Sequence, residues 1–282
     1  ISGATVVAMD AGWEQTCVAF SGGRKVACWW TLSGIPRVNG SEVFDTFKTV
    51  RQITIGASHL CMLYDDDTVD CRGDNTYGQT DIPLGLRDVI EIRTSYVYQN
   101  KTCALRSNDT VICWGQGIVQ PVPEDEINGQ KISMYDSKIC YITSSKELKC
   151  IGTVPPETTN KTSIAVWNVN ICALATDGKL NCWGGGFGGD ATPLPTSSAF
   201  TSLTVNKYWA DIFWWILQNR RSKCWGYGIM TSYPVPLFQC DTYSNLGQIG
   251  LSRQLNLTRD DNTIVQLSLS GVVDWRDNRE AV

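Results

Sequence analysis

A cysteine pair that recurs at near-constant spacing constrains this chain more than any other feature. Its 12 cysteines fall as Cys17/Cys28, Cys61/Cys71, Cys103/Cys113, Cys140/Cys150, Cys172/Cys182 and Cys224/Cys240. Five pairs lie ten or eleven positions apart and bracket a turn, as in CALATDGKLNCWG (Cys172 to Gly184) and CALRSNDTVICWG (Cys103 to Gly115). Two cysteines placed symmetrically about a hairpin turn face each other across antiparallel strands. Their Cα atoms then lie roughly 4.5–5.5 Å apart, inside the roughly 4.4–6.8 Å that a disulfide spans. Each bond closes a short loop, so it should stabilise by somewhat less than the ~3 kcal/mol expected for a loop of about 15 residues. No pair has the C-x-x-C spacing of a zinc site. An even count in regular pairs points to an oxidising compartment.

Aligning the chain on the first cysteine of each pair exposes a repeat. The anchors are Cys17, Cys61, Cys103, Cys140, Cys172, Trp214 and Leu255, separated by 44, 42, 37, 32, 42 and 41 residues. In the sixth unit Trp214 stands at the first cysteine position, which leaves Cys224 to pair with Cys240. The seventh unit, Ile249 to Leu267, puts Leu255 and Leu267 near the two cysteine positions. Seven units, approximately 4–48, 49–88, 89–128, 129–160, 161–199, 200–246 and 247–282, account for the 282 residues, so one domain is expected. Each unit reads as short β-branched or apolar strands around turn residues, with little helical periodicity. Units of this size cannot bury their faces alone. An all-β, seven-bladed propeller with a disulfide in the hairpin of each of the first five blades is the expected fold.

Composition narrows the function. The net charge is −4, from 24 Lys+Arg and 28 Asp+Glu scattered along the chain. The basic stripe of a nucleic-acid binder is missing. No apolar run reaches the roughly 18 residues of a membrane helix; the longest candidate, Tyr208 to Gln218, contains Asp211 and reads as buried strand. The N-terminus lacks the basic start and apolar core of a signal peptide, so the chain reads as mature or as beginning inside a longer one. Sequons at Asn39, Asn100, Asn108, Asn160 and Asn256 agree with a secreted or cell-surface glycoprotein.

The repeat resembles the regulator of chromosome condensation family. The segment GASHLCMLYDDDTVDCRGDNTYGQTDIP (Gly56 to Pro83) carries the likeness most fully, and CALATDGKLNCWG and CALRSNDTVICWG carry it closely. The resemblance implies a seven-bladed β-propeller. The paired cysteines are most similar to its secreted branch, which includes ectodomains of crinkly-type plant receptor kinases; bacterial β-lactamase-inhibitor propellers share the fold. The nuclear exchange activity of the founding member does not carry over, because cystines and sequons belong to another compartment.

No catalytic constellation can be assembled: His59 is the only histidine, without a serine elbow or a free cysteine beside it. No cofactor or metal is expected; Asp65-Asp66-Asp67 sits at a hairpin tip without the spacing of a calcium loop. Arg72-Gly73-Asp74 spells an adhesion tripeptide, but other repeats place Trp-Gly there, which makes it a strand-end motif. Trp29, Trp114, Trp183 and Trp225 follow the second cysteine and read as packing between blades. A further ring precedes the second strand of six units: Trp13, His59, Tyr98, Tyr135, Trp167 and Trp209. Equivalent connections of a propeller share one face, where aromatic residues serve as interface anchors or sugar platforms. Two readings stay open for these rings, one as a binding face and one as filler between blades. The expected function is a non-enzymatic scaffold whose partner is a protein or another copy of the chain, with a glycan-binding lectin as the alternative. Non-reducing peptide mapping should recover Cys224 linked to Cys240. Cys224 found free, or linked to another repeat, would contradict the alignment of the sixth unit.

Overall fold

The computed structural model describes residues 6–12, 15–20, 24–31, 38–95, 100–108, 110–117, 131–135, 138–150, 155–167, 170–184, 200–205, 213–217, 222–225, 246–251, 254–259 and 264–268. Their regular elements are 22 strands in seven antiparallel sheets. Sheet 1 holds β1 (Val6–Ala11), β2 (Gln15–Phe20), β3 (Lys25–Thr31) and β4 (Val38–Asp45). Sheet 2 holds β5 (Val50–Ile55), β6 (His59–Tyr64) and β7 (Val69–Gly73); sheet 3 holds β8 (Val89–Thr94), β9 (Lys101–Arg106) and β10 (Val111–Gly115). Sheet 4 is β11 (Lys131–Tyr135), β12 (Lys138–Ile142) and β13 (Leu148–Cys150), and sheet 5 is β14 (Lys161–Trp167), β15 (Asn170–Ala175) and β16 (Leu180–Trp183). β17 (Phe200–Val205), β18 (Phe213–Leu217) and β19 (Ser222–Trp225) form sheet 6; β20 (Leu246–Leu251), β21 (Gln254–Arg259) and β22 (Ile264–Ser268) form sheet 7.

The first strand is the edge of every sheet, and first strands of successive sheets lie side by side from β1 through β17. β1 also lies against β20, so the first and last sheets meet and the array closes into a ring. The architecture is a seven-bladed β-propeller with the first strands innermost.

The hairpin geometry follows the cysteine spacing. Cys17, Cys61, Cys103, Cys140 and Cys172 pair directly with Cys28, Cys71, Cys113, Cys150 and Cys182 in the strand register. All five pairs are disulfide-bonded with Cα–Cα distances of 4.0–4.1 Å, a little closer than the spacing implies. At the same rung of blade 6 Trp214 faces Cys224, and in blade 7 Leu255 faces Leu267. Cys240 lies outside the described residues.

Strand alternation gives each hairpin two working faces. The cysteines face the following blade: Cys103 and Cys113 pack with Ile132, Met134, Ile139 and Tyr141 of blade 4. Cys140 and Cys150 likewise pack with Ile164, Val166 and Ile171 of blade 5. The tryptophan one residue later faces back, and Trp114 packs with Cys61, Leu63 and Cys71 of blade 2. Each disulfide is therefore confined covalently to one blade while forming part of the core between two. The glycine after that tryptophan position, Gly73, Gly115 or Gly184, has φ of +112°, +101° or +141°; the first two end the third strand and Gly184 directly follows it. Blade 1 has Trp30 at this position; there β3 continues to Thr31 and pairs with β4.

An innermost edge strand exposes a row of backbone amides that no strand can pair. The preceding blade supplies acceptors. Asp10, Thr54 and Ser133 each face the first cysteine of their blade. Their side-chain oxygens accept from the amides of Ile55 (2.8 Å), Thr94 (3.1 Å) and Val166 (3.0 Å) in the next blade. Two residues upstream, Gln52 brackets Ile92, accepting from its N–H and donating to its carbonyl, both at 3.0 Å. Glu91 accepts from the Ile132 amide at 3.2 Å in the same way. Thr54→Val keeps the side-chain shape and strands the buried Thr94 amide, so it should lower stability by about 1–3 kcal/mol. Denaturant unfolding that gave no loss would show that these bonds do not hold the ring.

Candidate functional site

The connections between first and second strands occupy equivalent places in successive blades and lie on one face of the ring. Gly12 N–H donates to the Gln15 carbonyl at 2.8 Å, Gly56 N–H to the His59 carbonyl at 2.8 Å, and Ser95 N–H to the Lys101 carbonyl at 2.9 Å. Of the rings expected here, Trp13, Tyr98 and Trp209 lie outside the described residues. Trp167 ends β14, where its backbone pairs with Asn170. Tyr135 ends β11 and is half-buried against the core between blades 4 and 5.

His59 opens β6 and is 2% exposed. Its Nε2 is 3.0 Å from the Thr102 hydroxyl of blade 3, which donates to the Gln79 carbonyl at 3.0 Å. Trp114 Nε1 donates to the same carbonyl at 3.0 Å, and Gln79 is fully buried. The Gln79 side-chain amide donates to Asp74 at 2.7 Å, and its oxygen accepts from the Tyr77 amide at 2.8 Å. The segment after β7 thus reaches across blade 3 and clamps the two blades together. His59 fits because Gly56 carries no side chain; a Cβ there would stand 2.4 Å from His59 Cε1. As placed, His59 offers no surface to a partner.

Burial lowers the His59 pKa to about 4, with the Asp74 carboxylate pulling it back up. Asp74 itself is held below the ordinary carboxylate value, first by the Thr76 hydroxyl, with burial opposing and the Thr76 amide and Gln79 side chain helping. Among the described residues His59 Nδ1 has no hydrogen-bond partner, nor do the side-chain atoms of Asn170, the residue at the equivalent place in blade 5. Gln15, Lys101 and Lys138 stand at this place in blades 1, 3 and 4, so the residue two before the first cysteine is polar in all five disulfide-bonded blades. Reading the chain by its aromatic residues misses this series and the part played by Gln79. The recurrent polar type before the cysteine is the signal that could have found the series.

The remaining motifs are absorbed by the fold. Arg72 stacks over Phe44 of blade 1, 4.6 Å from the ring centroid, and pairs with Asp70 at 3.3 Å. Asp74 accepts from Thr76 and Gln79, so both charged members of Arg72-Gly73-Asp74 are engaged within the molecule. Asp66 and Asp67 pair with Lys48 at 2.6 Å and Arg51 at 2.8 Å across the hairpin tip. Among the described residues no group of three or more His, Cys, Asp or Glu could hold a metal ion, and no helix is long and apolar enough to cross a membrane.

Seven sheets closed into a ring, with disulfides across the hairpins, define the class as a seven-bladed β-propeller. Within it, residues 50–79, which hold Gly56, His59, the Cys61–Cys71 pair and Gln79, match the family model of the Regulator of chromosome condensation (RCC1) repeat. The match spans the three strands of the second blade and the segment after them. The chain is similar to the CRINKLY WD40 ectodomain of the Arabidopsis thaliana receptor kinase ACR4, at 21% identity and a TM-score of 0.60 over 82% of each chain. It is similar to human WBSCR16 at 12% identity and a TM-score of 0.67, covering 89% of this chain and 86% of that one. The entire ectodomain of the Physcomitrella patens receptor kinase CR4 matches at 22% identity and a TM-score of 0.54, over 81% of this chain and 62% of the other. At these identities the likeness is one of fold. No curated protein matches the chain.

A depressed histidine pKa makes stability depend on pH. The unfolded chain takes up a proton near pH 6.5 that the folded chain refuses until about pH 4. Stability is therefore full above pH 6.5 and falls as the pH drops toward 4, by about 3 kcal/mol. His59→Asn, which copies the blade 5 residue, should flatten this part of the stability curve in acid titrations monitored by circular dichroism. An unchanged slope would place the titration elsewhere.

Proposed function

We propose that this chain is a secreted or cell-surface, non-enzymatic scaffold that binds a protein partner, another copy of itself included, through the face of first-to-second-strand connections. The observation that carries the reading is the disulfide in each of blades 1–5, set in the cores between blades. Such bonds persist in oxidising compartments and hold the blades rigid. The fold shared with two plant receptor ectodomains supports an extracellular setting. A rigid ring orders its face before a partner arrives, which reduces the entropy cost of association. Trp13, Tyr98, Trp167 and Trp209 are the proposed anchors on that face, and Tyr135 contributes its exposed edge.

The positions of the sequons support the same division of faces. Asn108 is exposed at the tip between β9 and β10, and its side-chain oxygen accepts from the Thr110 amide and hydroxyl. Asn160 is exposed beside the tip between β15 and β16. Both lie on the face opposite the connections, and glycans there would leave the proposed surface open. Asn100 lies on the binding face, but its sequon threonine, Thr102, is fully buried with its hydroxyl held between His59 and Gln79. Asn39 lies in β4 and Asn256 in β21, whose backbones pair with neighbouring strands.

Capture from native extracellular fluid followed by mass spectrometry should return a protein partner, and a glycan array should stay blank. Array binding without a protein partner would establish the lectin reading in its place. With the partner in hand, Trp209→Ala or Tyr98→Ala should weaken binding by about 2 kcal/mol or more at unchanged melting temperature. Trp114→Ala should instead cost about 3–5 kcal/mol of stability. Normal binding by both anchor variants, with lowered melting temperatures, would make these rings filler between blades.

A further inference from the structure

An open cleft of roughly 370 Å³ lies at the hairpin tip of blade 5, between the segment leading into β14 and the turn joining β15 to β16. Glu157, Asn160, Lys161, Asp177, Lys179 and Asn181 line it. Asn181 holds its floor together, donating to Glu157 at 3.1 Å and accepting from Lys161 Nζ at 2.8 Å. Lys161 is only 3% exposed, and its ammonium lies over the Trp183 ring, 5.4 Å from the centroid. Desolvation lowers its pKa, opposed by the nearby Glu157 and Asp177 carboxylates. Asp177 and Lys179 form an exposed pair at 3.1 Å on the rim.

Asn160 is at once part of this lining and the acceptor residue of Asn160-Lys161-Thr162. Its backbone is held in the left-handed region, φ +57°, which asparagine tolerates better than most residues. Two hydrogen bonds fix it there: Thr176 N–H donates to the Asn160 carbonyl at 2.8 Å, and Lys161 N–H donates to the Lys146 carbonyl at 2.8 Å. The attachment point of a glycan is thus exposed, rigid and at the mouth of a cleft lined with donors and acceptors. We infer that the cleft seats the first N-acetylglucosamine of the glycan on Asn160. The inference rests on the secretory reading above. Covalent attachment holds the sugar at an effective concentration of about millimolar, so even weak contacts keep the cleft filled. The seated sugar would brace the β15–β16 tip against the segment before β14.

The test uses protein secreted from a eukaryotic host, compared in three forms: intact, trimmed by an endoglycosidase to a single N-acetylglucosamine, and fully deglycosylated. Amide exchange is followed by mass spectrometry over residues 155–162 and 174–181. Intact and trimmed protein should exchange alike there, and complete removal should speed exchange severalfold while the corresponding tip of blade 2, residues 64–69, is unaffected. Asn160→Asp, which abolishes the sequon, keeps the bond from the Thr162 hydroxyl to the Leu174 carbonyl and copies the aspartate that complete enzymatic removal leaves, should reproduce the fully deglycosylated pattern without enzyme treatment. Lys179→Ala should speed exchange in glycosylated protein and change little once the sugar is gone. Glycopeptide analysis separates the two ways of failing. A bare Asn160 overturns the inference through the modification on which it rests. An occupied Asn160 whose removal leaves exchange at both segments unchanged overturns the seating itself and leaves the secretory reading standing.

Discussion

The ring depends on how its innermost strands satisfy their unpaired amides. An edge strand in a packed interior cannot leave N–H groups without acceptors, and here no further strand is available to pair with it. Asp10, Gln52, Thr54, Glu91 and Ser133 supply side-chain oxygens to the next blade's edge instead. Because each acceptor belongs to one blade and each donor to the next, these bonds set the height and spacing of neighbouring blades. They also explain why Thr54 and Thr94, 0% and 1% exposed, can be polar in the middle of a core. Their hydroxyls lie 2.9 Å apart across the blade boundary.

The apolar cores and the disulfides follow from that spacing. With blades held at a fixed separation, the two residue types at the end of the hairpin divide the work: cystine faces forward and tryptophan faces back. Blades 2 and 3 add the clamp of His59, Thr102, Gln79 and Trp114, in which one carbonyl, that of Gln79, receives both a hydroxyl and an indole. The consequence for function is rigidity. A ring whose first five blades are bridged internally and bonded to one another offers their connecting segments as a fixed surface, suited to recognition more than to motion.

The hairpins were legible in the sequence because the signal is local. Ten residues between cysteines, with a turn in the middle, determine a rung, and the same count placed Trp214 opposite Cys224 and Leu255 opposite Leu267. The bonds between blades were not legible, since Thr54 meets Thr94 and Gln52 meets Ile92 across about forty positions with no local pattern to mark them. His59 shows the difference sharply. In the sequence SHLC leaves this ring open between a binding face and filler between blades, and only glycine at position 56 and the reach of Gln79 decide for the interior. The irregular register at the start of β1, β5, β8, β14, β17 and β20, where the first strand slips against the second, is equally silent in the sequence. Such slips increase local twist and suit strands packed around an axis.

Recognition is proposed for one face, and the sequon-bearing hairpin tips of blades 3 and 5 lie on the other; a footprint of the native complex tests this proposal most directly. Amide exchange measured with and without the captured partner should be slowed at the connections, residues 12–15, 95–101, 135–138 and 167–170. The tips at 65–68, 107–110, 144–147 and 176–179 should be unchanged. Protection concentrated at the tips, with the connections exchanging freely, would contradict the assignment.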